Sequence, residues 1–232
     1  MSRIVGEEGI ILHARPYRET SRLLRVMTKN YGLVSAVAKG VRGRKKSSIV
    51  EPFNSYFLGW SGSGSLVTMN SIETVKTRAM KGGQITLAFY LGELLVRLLP
   101  HREPMPAIFV GLDWALTHLT QETQQTEIVL RSFEKMLLEE LGYFVDFSFE
   151  HLTDQKIDPE LFYVLMENHG FVNSDDSSGF LGKDLLNISE NNFFDKSSLR
   201  SAKKIFRVLL SYQLGDKPLV SRSLLKGPKT DD

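Results

Sequence analysis

The sequence predicts an α+β protein: a small closed barrel of five strands, of the OB or SH3-like kind, followed by a mainly helical region with one β-hairpin. Up to about residue 78 there are five short runs rich in β-branched and aromatic residues: GIILHARPY, SRLLRVMT, GLVSAVAKGV, NSYFLGW and SLVTMNSIE. The breaks between them carry turn chemistry, RET, KNYG, the basic RGRKKSS and the glycine hairpin SGSGS. Beyond Lys76 the apolar period lengthens to that of helices. Residues alone leave the choice between the two barrel types open.

In the first half, Tyr56, Leu58 and Trp60 share one face of a strand and Phe57 the other, so part of the aromatic set must fill the barrel. In the second half, Ile85 to Leu99 is apolar nearly all round, as expected of a helix at the centre of a bundle. MPAIFVGLDWALTHLT follows a Pro-Met-Pro break that sets Pro106 in a first helical turn, where its missing N–H is harmless. TEIVLRSFEKMLLEELGY carries a one-sided apolar stripe and stops at Gly142. ELFYVLMENHGFVNS reads as a hairpin turning at Asn168-His169-Gly170, and DKSSLRSAKKIFRVLLSYQLG as a late helix capped by Asp195 or Ser197. The division expected is 1–80 for the barrel and 81–232 for the helical domain with its hairpin.

Cysteine is absent from the 232 residues, which removes disulfides, cysteine-ligated zinc and thiol catalysis together. The five histidines are scattered with no HExxH or comparable spacing, and GVRGRKKS lacks the GK[ST] ending of a phosphate loop. Asp175-Asp176 would need further carboxylates to hold a nuclease metal and reads as a solvated loop. No enzymatic chemistry and no cofactor motif is visible. Nor is there a signal peptide or a membrane-length apolar stretch, so a cytoplasmic protein is expected.

Charge is distributed unevenly. Residues 1–80 hold 13 Lys and Arg against 5 Asp and Glu, whereas 81–232 hold 16 against 22, within a total of +2. Lys39, Arg42, Arg44, Lys45 and Lys46 fall within eight residues among glycines, with Arg15, Arg18, Arg22 and Arg25 on the earlier strands. A charged loop can serve solubility alone, but this density favours contact with phosphates through counterion release. Tyr17, Tyr31, Tyr56, Phe57 and Trp60 are candidates either for core or for base stacking. On the helices, Arg131 has Glu127 four residues before it, the spacing of an ordinary intrahelical pair, and Arg200, Lys203, Lys204 and Arg207 form a basic stripe that solvation explains as well as binding does.

EGIILHARPYRETSRLLRVMTKNYGLVSAVAKGVRGRKK, with EPFN after the basic loop, closely resembles the opening of the bacterial RecO recombination mediators. The resemblance continues in order through ITLAFYLGELLVRLL, LRSFEKMLLEELGY and LRSAKKIFRVLLSYQLGDKPLVSR, over essentially the whole chain. It implies an N-terminal OB fold and a non-enzymatic, nucleoid-associated protein of the cytoplasm. Such a protein binds single- and double-stranded DNA, anneals complementary strands and, with RecR, helps RecA replace the single-stranded-DNA-binding protein SSB. It places DNA contact on Arg15, Arg18, Lys39, Arg42, Arg44, Lys45 and Lys46. It also makes Arg131 a partner for the acidic tail of SSB, with Lys135, Arg200 and Lys203 as neighbours sharing that role. Some relatives carry a four-cysteine zinc module where this chain has its hairpin. With no cysteine, this hairpin is expected to be held by packing alone. The alternative of another class is a basic OB protein that binds RNA without mediator activity.

Overall fold

The computed structural model describes residues 3–41, 50–121, 125–167 and 169–221. Packing divides the chain into two compact units, one of residues 1–122 with 217–232, the other of residues 123–216.

The first unit is built on a closed five-stranded barrel of β1 (Arg3–Tyr17), β2 (Ser21–Thr28), β3 (Gly32–Ala38), β4 (Ser55–Ser61) and β5 (Val67–Lys76), in the order β1-β2-β3-β5-β4. All neighbours are antiparallel except β3 and β5. This is the five-stranded barrel of the OB type, which resolves the choice the residues left open. β1 starts six residues earlier than the apolar run suggests. Its first half pairs with β4 and its second half with β2, and irregularities between Ile4 and Glu7 and between Ile11 and His13 let one strand turn this corner. Gly6, at φ 74°, supplies the backbone conformation that the first of them needs.

Ile11, Leu24, Val26, Val34, Ala36, Tyr56, Leu58 and Trp60 fill the barrel. Tyr56 enters the core with its hydroxyl satisfied, donating to the Glu51 carbonyl and accepting from the Glu51 N–H, both at 3.0 Å.

Two helices pack on this barrel, α1 (Gly83–Leu98) and α2 (Pro106–Leu119), with Pro106 in the first turn of α2 as its missing N–H permits. α1 packs against β1 and α2 rather than at the centre of a helical bundle. Gly92 lets its backbone approach the Phe53 ring, and Phe53 meets Phe89 edge-on at 4.9 Å. Arg78, just past β5, buries its guanidinium to donate to the Phe53 carbonyl at 2.7 Å and to ion-pair with Asp113 of α2.

The second unit contains α3 (Thr126–Glu140), β6 (Phe162–Met166), β7 (Gly170–Ser174), β8 (Phe180–Leu181), α4 (Gly182–Ser189) and α5 (Lys196–Leu214). β6 and β7 are the expected hairpin. Its turn residue Asn168 lies outside the described residues, and β8 adds a third strand in the order β7-β6-β8. Packing and hydrogen bonds secure it: Phe171 is fully buried against Phe147, and Glu150 Oε1 accepts from the Asn173 N–H at 3.1 Å. Asp195 caps α5 by accepting from the Ser198 N–H at 3.1 Å. The short α4 has no counterpart in the sequence pattern. Its buried Asp184 collects the hydroxyls of Ser197, Ser198 and Ser201 from the first turns of α5. No helix among the described residues is long and apolar enough to cross a membrane.

Candidate nucleic-acid interface

The register of the barrel gathers cations at one end. Arg15 lies across from Leu23, Pro16 from Arg22, and Arg22 from Ala38, so the next position of β3's chain, Lys39, falls beside Ser21. Arg18 sits in the β1–β2 turn with φ 52°, its guanidinium 5.3 Å from the Tyr17 ring. Arg15, Arg18 and Lys39 are exposed. Alternation splits the other two arginines. Arg22 continues the inward row of Leu24 and Val26 at the barrel mouth, where Nη1 donates to the Val50 carbonyl at 2.8 Å. Arg25 faces outward and donates to Ser35 Oγ. Among the described residues, none of Arg15, Arg22, Arg25 and Lys39 is in an ion pair, so this end keeps its positive charge. Arg42, Arg44, Lys45 and Lys46 lie outside the described residues. The residues flanking that segment, Val41 and Val50, pack on the core at this same end.

His101, which follows α1, carries no sequence signal that would mark it for this surface. Its Nε2 lies 3.2 Å from Ser35 Oγ, joining the Arg25–Ser35 contact. Burial lowers the His101 pKa below 6.5, and the adjoining Arg102 and Arg25 lower it further. The imidazole is thereby kept neutral and able to accept the Ser35 hydroxyl.

The far side of the barrel differs in charge. Phe57 is 41% exposed, but its cross-strand neighbours are Glu8 and Glu73. Glu73, and Glu8 although it pairs with Lys29 at 3.1 Å, set acidic groups on both sides of the ring, which makes this face a poorer stacking platform than the cationic end. Tyr56 and Trp60 are buried core, while the half-exposed Tyr31 packs edge-on against Trp60 at 5.4 Å.

In the second unit the four expected tail-binding cations fall into two environments. Arg131 and Lys135 share one face of α3, and both are buried. Arg131 does not pair with Glu127 as its spacing suggests. Its Nη2 contacts Glu134 Oε1 at 2.9 Å, while Glu127 meets Lys203 of α5. Lys135 is engaged by Glu139 at 3.0 Å, Asn191 Oδ1 at 3.0 Å and the Ser189 carbonyl at 3.2 Å. Arg200 and Lys203 are exposed on α5. Asp176 is occupied by the N–H and hydroxyl of Ser178, which hold its carboxyl below the usual range. No group of three or more His, Asp or Glu side chains gathers as a metal site among the described residues.

Residues 1–78 match the family description "Recombination protein O N terminal", and residues 82–223 match "Recombination protein O C terminal". The chain is 39% identical over 231 residues to a protein of Nitrosococcus oceani named DNA repair protein RecO, covering 97% of this chain and 94% of that one. Proteins of the same name from Glaesserella parasuis, at 36% identity, and Vibrio parahaemolyticus, at 39%, cover 95% and 92% of this chain and 94% and 90% of their own lengths. With both halves matched in order and identity sustained along nearly the full length, this chain belongs to the recombination protein O family.

Proposed function

We propose that this chain is a non-enzymatic DNA-binding recombination mediator. It binds single- and double-stranded DNA, anneals complementary strands and, with RecR, helps load RecA onto SSB-coated DNA. Residues 1–80 serve as its nucleic-acid part and 81–232 as its partner-binding part. The observation that carries this is the barrel end where Arg15, Arg22, Arg25 and Lys39 stand without acidic partners among the described residues. Such an end lowers the repulsion between two phosphate backbones brought together over it. In this reading Arg18, Arg42, Arg44, Lys45 and Lys46 also contact DNA.

SSB is held through its acidic tail by the second unit. Exposed Arg200 and Lys203 make the first contact, and Arg131, one helical turn beyond the Glu127 that Lys203 grips, stands behind them as the buried cation of the site. Lys135 adds positive potential behind it.

The test is annealing of two complementary oligonucleotides precoated with SSB, with intact or tailless SSB. Fast annealing that weakens without the tail is expected. Coated strands that stay apart while naked strands are bound would reduce the protein to a plain nucleic-acid binder. Neutralising Arg42, Arg44, Lys45 and Lys46 together should flatten the dependence of log affinity on log salt, by about 0.9 in slope for each phosphate no longer neutralised.

A further inference from the structure

A groove of about 610 Å³ runs between the outer face of β1–β2 and α1. That volume lies within the roughly 300–1,000 Å³ typical of sites for small organic groups. Its apolar lining includes Leu12, Leu23, Phe89 and Val96, of which Leu23, Phe89 and Val96 are partly exposed. Arg15 and Arg25 line the same groove, placed there by the cross-strand pairs Arg15–Leu23 and His13–Arg25. Glu93 is the acid in the lining; its carboxylate keeps its charge but has both oxygens engaged, accepting from the Val220 N–H at 2.8 Å and from the Ser221 N–H and hydroxyl at 2.8 and 2.6 Å. The groove is thus net positive, two guanidinium groups against one engaged carboxylate, with neither arginine in an ion pair among the described residues, beside an apolar slot that contains an aromatic ring.

A ligand that satisfies both carries negative charge at short range from a flat apolar group. Unpaired nucleotides in a strand do so, whereas a duplex offers its phosphates but keeps its bases stacked inside. The cations also continue beyond the groove along β1 into the β1–β2 turn, from Arg15 to Arg18. A charged track leading out of a slot suits a continuous polyanion better than an isolated acidic side chain.

We propose that this groove seats unpaired bases of single-stranded DNA, with Arg15 and Arg25 on the flanking phosphates. The proposal rests on the DNA-binding function proposed above and adds a place where the protein distinguishes single strands from duplex.

The test compares full-length wild type with Val96→Trp, which fills the slot, and Phe89→Leu, which keeps apolar volume but removes the ring. Binding of a labelled oligo-dT and of a matched duplex is followed by fluorescence anisotropy at one salt concentration, with thermal melting to show that each variant is folded. Val96→Trp should weaken single-strand binding about tenfold, the effect expected from one stacked base, and leave duplex binding within about twofold. Phe89→Leu should weaken single-strand binding in the same direction. A 2-aminopurine placed in the oligonucleotide should change its fluorescence on binding wild type but not Val96→Trp. If Val96→Trp does not melt cooperatively, Phe89→Leu alone decides. Equal affinity of wild type and folded variants for single strands overturns the groove while leaving DNA binding intact. So does a parallel weakening towards both DNAs, or weaker binding of an acidic peptide with single strands unaffected. A wild type that binds neither DNA overturns the underlying function instead.

Discussion

Arg131 and Glu134, three residues apart on α3, form an ion pair sealed from solvent, with side chains 8% and 2% exposed. Removing one partner from such a pair strands the other charge in a low-dielectric setting. Glu134→Ala is therefore expected to destabilise the protein by about 3–5 kcal/mol in urea unfolding. Replacing both residues together by apolar ones of similar volume should cost much less than the two single changes combined. Lys203–Glu127, with both side chains about half exposed, is the control. Its removal should stay within about 1 kcal/mol.

Two glycines with the same backbone conformation should respond very differently to alanine. Gly32 has φ 62°, and a methyl group there would fall 1.9 Å from the Glu103 carbonyl oxygen. Gly40 has φ 71° and open space around it. Gly40→Ala should cost about 1–2 kcal/mol, the penalty of the left-handed region alone. Gly32→Ala must also push backbone from backbone and should lower the melting temperature several times as far.

His101 should titrate below 6.5 in a proton NMR titration, because burial and then Arg102 and Arg25 all disfavour its charged form. Arg25→Gln removes one of these cations and should move the midpoint upward. An unchanged midpoint would mean that Arg25 is not felt at the imidazole.

Glu93 gives the acid side of the stability profile a definite sign. Desolvation raises its pKa, but the Ser221 hydroxyl and N–H, the Val220 N–H and nearby Arg97 together outweigh that and hold it below 4.5. The folded protein thus binds this proton less readily than the unfolded chain. The stabilisation is full above the ordinary value and is lost as pH falls through the folded one. Melting temperatures measured from pH 6 downward should show a steeper acid decline in wild type than in Glu93→Gln.

The barrel is legible because alternation and turn residues coincide: Tyr56, Leu58 and Trp60 point inward and Phe57 outward, as period two requires. The beginning of β1 is hidden by Gly6, Glu7 and Glu8, which look like a loop. Glu7 is buried nonetheless, accepting from the Asn30 backbone N–H at 2.7 Å and side-chain amide at 3.0 Å. α4 escapes notice because eight residues are too few to display a helical period, and Asp184 finds its serines only through the tertiary fold. Among the site residues, which cations exist is plain in the sequence, but which acids neutralise them is not. Glu127 stands at a good spacing for Arg131 yet turns to Lys203, 76 residues away, while Glu134 takes the guanidinium. Local spacing proposes partners, and long-range packing chooses between them.

The barrel's seams are of unequal length. β3 and β5 join through Ala36–Val67, Val37–Thr68 and Ala38–Met69, whereas the antiparallel seams run twice as far or more. A ring with one thin joint opens there first. Amides of residues 67–69 should accordingly lose hydrogen-exchange protection before those of β2. Ala38 is the last residue of that joint and Lys39 follows it, so the hinge of the ring lies beside its positive end. Local breathing there would change the spacing of the charges without unfolding the core, so the positive end is not a rigid array.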